Sequence, residues 1–285
     1  MTVYRSYLFV PATKIEMVEK AIYSPADCII IDLEDAVAVS EKESARENVK
    51  EALDHFKDKK DIFVRMNDIA TPYWESDLSC AITNGAKGII IPKVENAEGI
   101  QLVCDKVRGL IRRSGLQIEE FDVIPLIESA KGVKNVYDIA EADKMITKLS
   151  FGSIDFSLDI DCELTPEGFE LLYARSKIVT ASKAAGLESP VDAVFPDLKN
   201  TEGLIKEAEF VKQLGFKAKL IIHPKQIEAV HSVFSPSKEE VEKAYKIVTE
   251  FERAEKQGLA SISVNNKMVD YPVYKKAQKI ASFYM

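Results

Sequence analysis

Residues 27–37 read DCIIIDLEDAV, an apolar run that breaks into three carboxylates, Asp32, Glu34 and Asp35, within four positions. Other apolar runs break the same way. VRMN delivers Arg65 and Asn67, PKVE delivers Lys93 and Glu95, IES delivers Glu128, FGSID delivers Asp155, VDAVFPD ends on Asp197 and AKLIIHP carries His223. Many carboxylates beside only three histidines are the donor set of a hard cation such as Mg2+ or Ca2+, not of zinc. Mg2+ takes one or two protein carboxylates and leaves its other positions to water and substrate. Glu128 and Asp155 end successive runs and can share one ion, while Arg65 offers a planar fork to an organic carboxylate touching that ion.

Against this stands a plainer reading: one acidic residue at a strand end is more often a helix cap or a solvated charge than a ligand. Convergence of several weighs the other way. Asp35 taken alone is a loop cap. Arg46 and Arg175 fall on helical stretches and read as structural ion-pair partners. His55 and His231 read as helix-surface residues, and His223, ahead of Pro224, as a strand terminator.

The elements that must position these groups follow from periodicity. Eight β-rich apolar runs occupy residues 7–11, 27–33, 61–67, 87–94, 121–129, 148–155, 191–197 and 218–224. Most lack polar alternation, as strands covered on both faces do. Between them lie stretches of helical period at 13–23, 41–56, 72–84, 96–114, 131–143, 165–185, 201–214 and 237–257. Strand and helix in strict alternation predict an α/β protein, and eight such units close into a (β/α)8 TIM barrel. An open doubly wound sheet is the alternative, but its phosphate signature G-x-G-x-x-G is absent. Barrel sites lie at the carboxyl ends of the strands, where the polar residues above collect. We read 1–235 as barrel core and 236–285 as the last barrel helix plus a C-terminal extension, a loop or hairpin followed by a helix.

With 285 residues, 46% apolar and 29% charged, the composition is that of a globular protein, and the formal charge of −8 excludes nonspecific nucleic-acid binding. Cys28, Cys80, Cys104 and Cys162 lie far apart and read as reduced, mostly buried thiols, which fits the cytoplasm. No apolar window approaches a membrane span and no export signal opens the chain, so neither membrane nor secretion is expected.

Taken in order, RSYLFVP, DLEDAV, VRMN, PKVE, IES, FGSIDFSLDI, LLYARSKIV, GFKAKLIIHPKQI and KMVDYPV resemble the citrate lyase beta-subunit family of acyl-thioester lyases, which is similar in fold to the phosphoenolpyruvate and pyruvate barrel enzymes. The resemblance runs over essentially the whole chain. It implies Mg2+-dependent cleavage or formation of a carbon–carbon bond in a citryl, citramalyl or malyl thioester. By the same resemblance Glu128 and Asp155 bind the metal and Arg65 grips the keto acid (oxaloacetate, pyruvate or glyoxylate). Glu34 and Asp35 hold water ligands and orient Arg65, and Arg5 lines the acyl-CoA mouth. Asp270 reaches a neighbouring subunit's site as acid/base, which implies a homo-oligomer, a trimer. Where many members carry glycine this chain has Asp161, Ala218 and Asn266, which implies thioester-side loops of a different shape. FSLDIDCE inclines the reading toward a free-standing acyl-CoA lyase. The rivals are a subunit fed by an acyl carrier protein within a complex, a keto-acid-binding barrel without turnover, and a lyase that also hydrolyses the thioester.

Overall fold

The computed structural model describes residues 4–115, 121–256, 258–265 and 267–281. Asn266 therefore lies outside the described residues. The chain divides into two compact units, one up to Phe234 and one from Ser235 on. In the first, strands β1 (Ser6–Pro11), β2 (Cys28–Asp32), β3 (Ile62–Arg65), β4 (Gly88–Ile91), β5 (Asp122–Ile127), β6 (Ser150–Phe151), β7 (Val191–Asp192) and β8 (Ala218–Ile221) close into a barrel in chain order. Each strand is parallel to the next, and β8 pairs back on β1. The (β/α)8 TIM barrel predicted from alternation is the fold observed.

Every strand has two dry faces, which is why the runs do not alternate in polarity. Ile29, Ile31, Val64, Ile89, Ile91, Val123 and Ile221 pack with the helices. Cys28, Ile30, Phe63, Ile90, Ile124, Leu126 and Leu220 fill the barrel interior. Side chains alternate along a strand, so Asp32, Arg65 and Glu128 share parity with the interior set. They emerge at its carboxyl end. This geometry is what makes the dry strand stop at acids.

Around the sheet run α1 (Ile15–Ile22), α2 (Lys42–Phe56), α3 (Trp74–Asn84) and α4 (Ala97–Ser114), then α5 (Ala130–Lys134) and α6 (Val136–Ala140), then α7 (Ser153–Asp159), α8 (Leu172–Ala184), α9 (Thr201–Leu214) and α10 (Ile227–Phe234). Four differences from the sequence reading bear on the site. The expected strand 148–155 is two residues long, and α7 starts so early that Asp155 lies in a first helical turn, where the dipole favours a carboxylate. The stretch 131–143 breaks at Asn135 into two short helices. The stretch 165–185 opens with a single 3-10 turn at Phe169–Leu171. The helix that follows β8 is α10, not 237–257, because Pro224 starts a helical turn directly after the strand.

The second unit consists of α11 (Lys238–Glu255), a hairpin of β9 (Ile262–Val264) and β10 (Lys267–Val269), and α12 (Tyr271–Ala281). Ser237 and Glu240 form a reciprocal capping box that fixes the start of α11. Phe251 stacks on Tyr274 at 4.6 Å and is closed in by Val264 and Val269. The hairpin and helix match the extension predicted from the sequence. No helix among the described residues is long and apolar enough to cross a membrane.

Candidate active site

Asp32 and Arg65 are register partners on adjacent strands. Their side chains therefore meet on the inner face: Arg65 Nε donates to Asp32 Oδ1 at 2.8 Å and Nη2 donates to Oδ2 at 2.7 Å. Asp32 also accepts the Glu34 N–H at 2.9 Å and the Ala36 N–H at 3.3 Å. One carboxylate thus fixes both the arginine fork and the DLEDAV turn. The guanidinium lies 4.9 Å from the Phe9 ring centroid and its Nη1 is 3.0 Å from Glu34 Oε2 and 4.0 Å from Asp35 Oδ2. Burial opposes the charge on Arg65, but the Asp32 carboxylate outweighs it and raises the pKa. Glu34 Oε2 is buried against the Arg65 guanidinium, an ion pair without an aligned hydrogen bond.

Glu128 follows β5 and is 4% exposed. Its Oε1 accepts the Lys93 N–H at 2.7 Å. Burial, then the Asp155 and Glu34 charges, push its carboxyl up to about 8 despite that amide and Arg65. The approach depends on Gly152: a Cβ there would sit 2.5 Å from Glu128 Oε2 and 2.7 Å from Glu128 Cβ. Glu128 and Asp155 line one cavity of about 550 Å³, with Lys93, Glu95, Ser129 and Leu158 among its other walls. Lys93 joins the two groups of acids. Its backbone reaches Glu128, and its Nζ lies 2.7 Å from Glu34 Oε1 and 3.5 Å from Asp35 Oδ1.

Of the residues singled out in the sequence, Arg65, Glu34 and Asp35 form one ion-pair cluster, and Glu128 and Asp155 line one cavity. Arg5 belongs to neither. It precedes β1 and pairs with Asp27, which precedes β2, at 2.7 and 2.9 Å. That is the amino rim of the barrel, opposite the strand ends where the acids collect, so the structure does not bring Arg5 together with them. Asp270 lies in the second unit, where its Oδ1 accepts the Val273 N–H at 3.2 Å as the cap of α12. Arg46 pairs with Asp77 at 3.1 Å and Arg175 with Asp192 at 2.9 Å, structural pairs as expected. His231 is not a free surface residue: its Nε2 lies 2.8 Å from Ser6 Oγ. Asp161 holds a left-handed φ of 53°, the conformation a glycine would take without cost, whereas Ala218 is an ordinary strand residue. Sequence reasoning placed Asp32 and Lys93 at the strand ends without giving either a role, and it passed over Gly152. Asp32 was legible from pleat parity; the other two depend on tertiary approach.

Among the described residues no group of three or more His, Cys, Asp and Glu side chains is gathered to hold an ion. A pair of carboxylates suffices for Mg2+, which completes its shell with water and substrate.

The barrel by itself does not choose a chemistry, but its family does: a family model for the C-C bond lyase of the TIM-barrel fold matches residues 169–282. The model for the HpcH/HpaI aldolase/citrate lyase family matches residues 5–224, and the chain belongs to that family. Citrate lyase subunit beta of Escherichia coli K12 is 35% identical over 280 residues, spanning 98% of this chain and 92% of that protein. The mitochondrial citramalyl-CoA lyase of Homo sapiens is 30% identical over 285 residues, spanning 96% and 83%. The crystal structure of CitE from Mycobacterium tuberculosis in complex with magnesium, acetoacetate and coenzyme A gives a TM-score of 0.78 at 27% identity, covering 98% of this chain and 97% of that one.

Proposed function

We propose that the chain is a Mg2+-dependent lyase that cleaves a 3-hydroxy-3-carboxy acyl thioester of the citryl, citramalyl or malyl type into an acyl thioester and a 2-keto acid. The observation that carries this reading is Glu128: a buried carboxylate kept at a raised pKa beside Asp155 in one cavity. Burial and the neighbouring acids penalise the charge on Glu128, and a cation bound between the two carboxylates would relieve that penalty. The oxygen-only donors fit Mg2+. Mg2+ held there would supply positive charge where the alkoxide and keto-acid oxygens develop negative charge.

In this reading Glu128 and Asp155 hold the ion, and Arg65 grips the organic acid's carboxylate. Asp32 takes two of the five guanidinium N–H groups, so the remaining ones are aimed before substrate arrives. Glu34 and Asp35 orient the fork from its other side. Loss of the hydroxyl proton lets the carbon–carbon bond break, its electron pair passing to the acyl thioester as an enolate that is then protonated. Asp270 of a neighbouring copy serves as acid/base in this exchange, which makes the protein a homo-oligomer, a trimer. The four cysteines are free thiols, which suits the cytoplasm.

The test is a cleavage assay on citryl-, citramalyl- and malyl-CoA with Mg2+ and after EDTA. Keto acid release that EDTA abolishes is expected for one of them. Silence on all three with Mg2+ present, together with silence on carrier-protein thioesters, would sink the proposal. The second reading, a beta subunit acting on an acyl-carrier-protein thioester within a complex, is favoured by the 35% identity to the E. coli subunit. Turnover of the carrier-protein thioester but not of free CoA thioesters would select it.

A further inference from the structure

The cavity beside Glu128 poses a charge problem for the ligand assigned to it. Five carboxyl groups line it, those of Asp68, Glu95, Glu128, Asp155 and Asp159, and among the lining residues the one cation is Lys93. An organic acid brings more negative charge into that space, and repulsion between like charges there is only partly screened. Lys93 is also built into the site by its backbone. Its φ of 52° is left-handed, a conformation that costs a side-chain-bearing residue free energy and that persists where the surroundings require it. At this position the amide points at Glu128 Oε1, 2.7 Å away, while the ammonium turns to Glu34 Oε1, also 2.7 Å away. The side chain is 40% exposed, so the charge lies at the cavity wall and is not sealed in the core.

We infer that Lys93 is a positioning residue for this reaction: its amide fixes Glu128, and its ammonium sets the balance between cation and anion affinity in the cavity. The inference rests on Glu128 and Asp155 being the cation ligands. It makes opposite predictions for the two ligands, which a residue that merely braces the fold does not. Removing the ammonium leaves the carboxylates less compensated, so the cation binds more tightly. The same removal leaves the organic acid facing uncompensated acids, so the anion binds more weakly.

The experiment compares Lys93→Met with the parent by calorimetric titration, first with Mg2+ alone and then with pyruvate at saturating Mg2+. A unit charge at the cavity wall changes each affinity on the order of fivefold to tenfold. The expected result is tighter Mg2+ and weaker pyruvate in Lys93→Met, with Lys93→Arg returning both toward the parent values. Lys93→Gln, which keeps length and a donor toward Glu34 but no charge, is run alongside and moves both affinities in the same directions as Lys93→Met. Weakening of both ligands together, or no change in either, overturns the inference while leaving the metal site intact. Failure of the parent itself to bind Mg2+ overturns the reading of Glu128 and Asp155, and this inference with it.

Discussion

At the scale of single residues the site is a set of charges held where water would rather have them. Glu128 is the extreme case. Burial first, then the neighbouring acids, lift its carboxyl to about 8 from a reference of 4.5. Ionisation is therefore disfavoured in the folded state relative to the unfolded one. The penalty is absent below the unfolded value, grows as pH rises from about 4.5, and is complete above about 8. Metal-free protein accordingly loses stability across that window. Glu128→Gln keeps an acceptor for the Lys93 amide and removes the charge. Its melting temperature should match the parent's near pH 5 and exceed it by roughly 5 °C at pH 9 in EDTA. Thermal unfolding at a series of pH values checks this, and parallel profiles for the two proteins would contradict the burial of a costly carboxylate. Added Mg2+ should close the gap by stabilising the parent alone.

At the scale of elements the question is how strand ends and helix starts bring separate acids to one place. Much of this was legible. Apolar runs ending in polar residues marked the reactive rim, and the inner parity of positions 32, 65 and 128 follows from the pleat once a barrel is assumed. Arg5 could have been placed by the same rule: it stands before its strand, not after it, and so belongs to the far rim. Contacts created by close approach were not legible. Nothing local announces that Lys93 turns left-handed, or that β6 stops at Phe151 so that Gly152 touches Glu128. Helical period alone also cannot separate a helix from one that restarts after a cap, which is why the break at Asn135 and the early α10 were missed. The Gly152 contact is itself testable. Gly152→Ala places a methyl within 2.5 Å of Glu128 Oε2 and must push that carboxylate aside. We expect turnover to fall roughly 100-fold, as a misplacement of about 1 Å does, with circular dichroism unchanged. Mg2+ affinity should fall with it. A variant with parental Mg2+ affinity and turnover would show that Glu128 is not held against this turn.

At the scale of the whole molecule the barrel unit carries six of the seven residues singled out for the chemistry, five toward the carboxyl ends of its strands and Arg5 on its far rim, while Asp270 lies on the C-terminal unit. That unit has a core of its own in the Phe251, Val264 and Val269 cluster and the packing of α11 on α12. Asp270 caps α12, a sufficient structural reason for an acid there, so a catalytic role needs a test that capping cannot imitate. Complementation between copies provides one. Glu128→Gln lacks a metal carboxylate but retains Asp270; Asp270→Asn keeps a capping oxygen and an intact barrel site. Each should be inactive alone. Co-expressed with different tags and purified for both, mixed oligomers contain sites that combine the intact Glu128 of one copy with the intact Asp270 of the next. In a mixed trimer of either composition one of the three sites is complete, and activity should return to about a third of the parent's. Full activity in Asp270→Asn alone would reduce Asp270 to a cap. Inactive mixed oligomers would mean that no copy lends Asp270 to another, and with it the argument for an obligate homo-oligomer would fall.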